Sequence, residues 1–144
     1  MSLFSDLQTL VADRLDSDAV FSAPPAIPIL TEQIGDLDNE IQRAIQRVGL
    51  VAIVLTPRVT RLDRRHLAEV EVVISVAQVR ELSLRAGSKK LAADVAASAW
   101  ALLDDWAASE TWQPLIAQSL LLVEVSPATV YEFTAKTAVL LTKT

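Results

Sequence analysis

Apolar positions recur at helical spacing in Leu3, Leu7, Leu10, Val11 and Leu15, which predicts a helix over residues 2–15 that Ser5 and Gln8 can open as a capping box. Pro24, Pro25 and Pro28 follow, and because proline has no backbone donor, residues 21–30 read as an extended connector. Gly35 and Asp36 then break the chain. Asp36 or Asp38 can cap a second helix whose apolar face is Ile41, Ala44, Ile45 and Val48 and which stops at Gly49.

The period changes at residue 50. Residues 50–56 are continuously apolar and rich in β-branched side chains, and 68–76 alternate, with Ala68, Val70, Val72, Ile74 and Val76 on one face and Glu69 and Glu71 on the other. Together they predict a long β-hairpin spanning 50–80. Gly87 and Ser88 open a third helix with the stripe Leu91, Val95, Ala99, Leu102 and Trp106, ending near Trp106. Residues 120–125 form another apolar strand, residues 126–129 a turn, and the last strand sets Tyr131, Phe133, Ala135, Val139 and Leu141 against Glu132, Thr134, Lys136 and Thr142. The order helix, helix, hairpin, helix, hairpin predicts one α+β domain over 1–144, with an antiparallel sheet built from two β-hairpins and helices packed on one face.

Composition adds a demand that the monomer does not obviously meet. Of the 144 residues 51% are hydrophobic and the mean hydropathy is +0.35, yet no apolar run approaches the roughly 20 residues that span a bilayer. The surplus predicts a subunit interface rather than a membrane partner. With no cysteine there is no disulfide, thiol nucleophile or thiolate metal site. The start Met-Ser-Leu-Phe-Ser lacks the basic and apolar regions of a secretory signal, which places synthesis and use in the cytosol.

A net charge of −5 and a pI near 4.8 argue against general nucleic-acid binding. The charge is nevertheless unevenly placed. Asp6, Asp13, Asp16, Asp18, Glu32, Asp36, Asp38 and Glu40 precede Arg43 with only Arg14 among them, while the hairpin tip carries Arg58, Arg61, Arg64, Arg65 and His66 against Asp63. Neighbouring copies could use that asymmetry as complementary faces.

The chemistry of catalysis finds little to build on. There is no Gly-rich phosphate loop and no Gly-x-Ser-x-Gly, and the chain holds three glycines in all. His66 has no orienting partner in sequence. Asp104-Asp105 and Asp36-x-Asp38 have the right atoms for a divalent cation, but helix ends account for both pairs. The arginines suit a solvated loop, protein docking or phosphate contact; no aromatic residue interleaves with them to stack on bases. Trp100 and Trp106 fall in the third helix as core or subunit contacts, whereas Trp112 falls in a loop where its indole need not fill the core. No catalytic, cofactor or metal residue is expected, and the interface candidates are Arg58, Arg61, Arg64, Arg65, His66 and Trp112.

The arrangement resembles the tail terminator proteins of long-tailed bacteriophages, the family of lambda's minor tail protein U and its equivalents in Mu-like prophages. What carries the resemblance is the N-terminal helix over 3–15, the connector Pro24-Pro25-Ala26-Ile27-Pro28 and Gly35-Asp36-Leu37 before the Ile41 helix. It continues in the run from Gly49 to Pro57 with the Glu-flanked strand after it, the Ala-rich helix and the closing hairpin. The resemblance implies a non-enzymatic virion protein without cofactors, assembled in the bacterial cytoplasm. It further implies a hexameric ring that caps the tail tube, stops tube growth and offers a docking surface to the head or neck connector, meeting the sheath end in contractile phages. Genome DNA would then cross the lumen only in transit. The alternatives are another neck protein, such as a head-completion or stopper protein, and a small oligomeric ligand-binding or enzyme domain that uses His66 and the arginines on an anion.

Overall fold

The computed structural model describes residues 2–61 and 67–140. The elements run α1 (Leu3–Asp16), α2 (Ala19–Ser22), β1 (Ile29–Thr31), α3 (Leu37–Val48), β2 (Leu50–Arg61), β3 (Leu67–Gln78), α4 (Arg80–Arg85), α5 (Ala92–Leu103), β4 (Ile116–Glu124) and β5 (Thr129–Leu140). The strands form one sheet in the order β1-β2-β3-β5-β4, antiparallel throughout except for the β1–β2 pair. The fold is α+β, and both expected hairpins are present.

The alternation in β3 decides where the main core lies. Val70, Val72, Ile74 and Val76 are all fully buried, together with Leu50, Ala52 and Val54 of β2 and Phe133 and Ala135 of β5. Against this face lie Leu7, Val11 and Leu15 of α1, Phe21 of α2, and Val95, Ala96, Ala99 and Leu103 of α5. The alanines let α5 approach closely, and Trp100 closes the gap by tilting over Phe133 with ring centroids 5.5 Å apart.

The opposite face is not bare. Val51 and Ile53, one residue out of phase with the main core, pack under Ala44 and Ile45 of α3, with Leu82 of α4 alongside. Gly49 makes this packing possible. It caps α3 in the left-handed region (φ +77°), and a Cβ there would stand 2.1 Å from the Ser83 backbone nitrogen. Its carbonyl accepts from Val79 N at 2.9 Å, so the end of α3 and the start of α4 are in direct backbone contact.

Several boundaries differ from expectation for local physical reasons. The proline connector contains one turn of helix, α2, capped by the Asp18 side chain on Val20 N, and it ends in β1. Strand β1 is three residues long and pairs parallel to β2, and a parallel pairing leaves no turn signal in the sequence. Helix α5 begins at Ala92, where the buried Gln78 accepts from Ala92 N and donates to Ser83 Oγ and the Lys90 carbonyl. The inward stripe is therefore Ala92, Val95, Ala96, Ala99 and Leu103, while Leu91 is exposed. Trp106 lies beyond the helix, after Asp105 has taken a left-handed turn, and its ring sits under the Arg14 guanidinium at 5.5 Å.

Candidate assembly surface

Two parts of the sheet extend beyond its helical cover. The first is the far half of β2, the outer strand of the β2–β3 hairpin. Register slips between Leu55 and Arg58, where Thr56 and Pro57 form a bulge. Proline suits this position because it has no donor to lose. The Thr56 N–H instead donates to Glu32 Oε1 at 2.7 Å, and the same carboxylate oxygen accepts from Gln8 Nε2 at 3.2 Å. Gln8 also donates to Thr56 Oγ1 at 2.8 Å and accepts from Glu32 N at 3.1 Å. Gln8 is buried and Glu32 is exposed, so this clasp is a polar network running from the core to the surface that joins α1, the segment after β1 and the root of the arm.

Past the clasp the β2 strand of the arm is open to solvent, while Ala68 and Val70 of β3 beside it stay buried. Arg58, Val59, Thr60 and Arg61 are exposed, opposite Glu71, Val70, Glu69 and Ala68 of β3. On the face opposite the main core, Glu69 pairs with Lys136 of β5 at 3.3 Å, a half-exposed contact that solvent screens. Signs therefore alternate across the sheet: Arg58, Glu71 and Lys136 occupy one row. Arg64, Arg65 and His66, expected at the tip, lie outside the described residues.

The second part is β4. It forms the sheet edge, and its apolar side chains point both ways: Leu122 sits opposite Tyr131 on the main-core face, while Ile116 and Leu121 sit opposite Lys136 and Glu132 on the other. Ile116 is 62% exposed, Leu121 57%, Leu122 50% and Val123 49%, and Val125 beyond the strand reaches 70%. Helix α5 covers β4 only in part, at Ala117 and Leu120, and a nine-residue edge strand that leaves this much apolar surface open is what monomeric proteins avoid. The sequence marks 120–125 as an apolar strand but carries nothing that places it at the edge.

Trp112 does not stand free of the core, as its loop position suggested. It is 4% exposed, its ring lies 6.4 Å from that of Phe4, and its backbone bridges Val139. The loop holding it runs along β5, with Gln113 N donating to the Ala138 carbonyl at 3.0 Å, so the indole is pressed beneath α1.

The carboxylate pairs have structural roles. Asp36 accepts from Asn39 N as the cap of α3, and Asp104 accepts from Ala117 N at the entry to β4. Among the described residues no group of three or more His, Asp or Glu side chains is placed to hold a metal. A groove of about 360 Å³ between α3, α4 and the β4–β5 turn is lined by Ile41, Ile45, Val79, Leu82 and Pro127, with no titratable side chain. Such a wall offers apolar contact and no acid or base. No helix among the described residues is long and apolar enough to cross a membrane.

No protein-family model matches the chain, and no curated protein sequence does. Solved structures do share its fold. A chain of the virion of a native gene transfer agent particle aligns with a TM-score of 0.64 and 19% identity, covering 96% of this chain and 97% of that one. A second solved chain, whose description states no activity, aligns with a TM-score of 0.55 and 13% identity over 99% of this chain and 96% of its own length.

Proposed function

We propose that this chain is a structural protein of a phage-like virion, and within that class a tail terminator: a non-enzymatic subunit of a hexameric ring that caps the tail tube. The observation that carries the reading is the end-to-end likeness to the gene transfer agent virion chain, which extends over nearly the full length of both. The exposed apolar surface of β4 and the exposed arginines of the arm, Arg58 and Arg61, suit an assembly subunit better than a solitary soluble protein. In this reading the ring stops tube polymerisation and presents a docking surface to the neck connector, and to the sheath in a contractile tail. DNA crosses the lumen in transit, and a net charge of −5 suits a channel that must not hold it. Assembly takes place in the host cytoplasm.

The arm is assigned to contacts with tube, neck or neighbouring subunit through Arg58, Arg61, Arg64, Arg65 and His66. Replacing Arg61, Arg64 and Arg65 by glutamate leaves the fold intact and abolishes capping; tails of normal length from that variant would remove the tip from the assignment. Deleting the gene tests the function itself. Overlong tubes support a terminator, and finished tails left unattached to heads point to a head-side neck protein instead. Light scattering on the purified 15.6 kDa chain is expected to find a species of about six times that mass, the closed product of a head-to-tail contact.

A further inference from the structure

The sheet has three stretches of edge, and they are not equivalent. Strand β1 has only three half-buried residues, is preceded by Pro28, and has both α1 and α3 packed around it, so it is blunted as an edge. Strand β4 is long, apolar on both faces, only partly covered by α5, and has no described strand on its outer side. The third stretch is the outer side of the arm: β1 pairs with β2 only at Ala52, Ile53 and Val54, and no described strand lies beside Arg58, Val59 and Thr60 on the side away from β3.

We infer that β4 of one copy pairs antiparallel with the arm segment of β2 in the next copy, so that the sheet continues from subunit to subunit. This deepens the ring reading above and rests on it. The side chains match face by face. Val59 sits opposite Val70 on the main-core face, as Leu122 sits opposite Tyr131 on that same face. Arg58 sits opposite Glu71 on the other face, where Glu124 follows Leu122 across the bulge at Val123 and Glu132 lies nearby. An antiparallel approach thus puts Val59 beside Leu122 and Arg58 beside Glu124, an apolar pair on one face and an opposite-charge pair on the other. A β4-to-β4 contact between two copies would leave the arm unused and bring no arginine to Glu124.

The contact also staggers the copies. Leu122 stands level with Val76 through Tyr131, and Val59 stands level with Val70, so the contact displaces one copy by six residues of β3 along the strand direction. At the usual rise this is about 20 Å. With β4 of one copy directly on β2 of the next, the repeat crosses four strands, about 19 Å. The resulting tilt is roughly 46°, just above the 35–45° typical of strands in closed barrels. A contact between edges at equal height would give no tilt.

The absence of native cysteine makes the test direct. Val59→Cys and Leu122→Cys alter side chains that are 45% and 50% exposed, so both single variants should fold. Under mild oxidation an equal mixture of the two is expected to give one covalent dimer, and each variant alone none. The double variant is expected to give a ladder of products ending in one closed species. Two results overturn the inference: a dimer from Leu122→Cys alone, which means a two-fold β4 contact, or no covalent product from the mixture. Tail length after gene deletion separates this from the terminator reading. Cross-linked protein with unchanged tails keeps the contact and discards the terminator, and overlong tails without a cross-link do the reverse.

Discussion

Strands β3 and β4 are written in nearly the same chemistry and meet opposite fates. Val70, Val72, Ile74 and Val76 of β3 have no exposed surface, whereas Leu121, Leu122 and Val123 of β4 keep about half of theirs. At roughly 25 cal/mol per Å², burying such side chains is the main favourable term in folding, and the β4 residues forgo much of it. The difference teaches that the monomer is closed on one side of its sheet and open on the other, and that the open side is where association has most to gain.

The closed side should break hardest at Gly49. Gly49→Ala puts a Cβ against the Ser83 backbone at a positive φ, and it is expected to cost at least about 3 kcal/mol in denaturant unfolding. Ile74→Ala, in the middle of β3, should cost about 2–5 kcal/mol by the same measurement. Glu32→Ala removes the carboxylate acceptor of Thr56 N and one acceptor of Gln8, a partly exposed pair of bonds whose loss is expected to cost about 0.5–1.5 kcal/mol. Leu121→Ser on the open side should change monomer stability by less than about 0.5 kcal/mol while lowering the assembled mass seen by light scattering. Equal losses at Ile74 and Leu121 would erase the distinction between the two strands.

The smallest effect is one of pH. The Lys90 ammonium donates to the Ala23 and Pro25 carbonyls, and burial lowers its pKa below 10.5. The unfolded chain then binds this proton more tightly than the folded one, so the group disfavours folding below its folded-state pKa and ceases to do so as pH rises toward 10.5. Thermal melts of wild type and Lys90→Arg should shift slightly in favour of wild type over that window, because arginine does not titrate there. A difference independent of pH would mean that Lys90 is as well solvated folded as unfolded.

Periodicity in the sequence revealed α1, α3 with its stop at Gly49 and Asp36 as one of two candidate caps, the alternation of β3 and both hairpins, because each depends on neighbours within a few residues. What it missed depends on distant partners. Strand β1 exists because β2 is beside it, α4 because Gly49 leaves room for Ser83, and the burial of Trp112 because α1 returns over its loop. The basic arm was legible as a cluster of arginines, and the bulge at Thr56 and Pro57 at its root was not. Nor was the exposure of β4: an apolar run reads the same in the middle of a sheet and at its rim.

The Gln8–Glu32–Thr56 clasp gives the arm a mechanical character. Beyond Thr56 the β2 strand is held on one side only, by β3, which β5 backs along its whole length. Here the root is pinned sideways at Thr56 through one carboxylate and one amide to the first helix. A pull on the arm is therefore delivered to α1 as well as to the ladder of β2 and β3, and the strands beneath can hold their register while the arm bears weight.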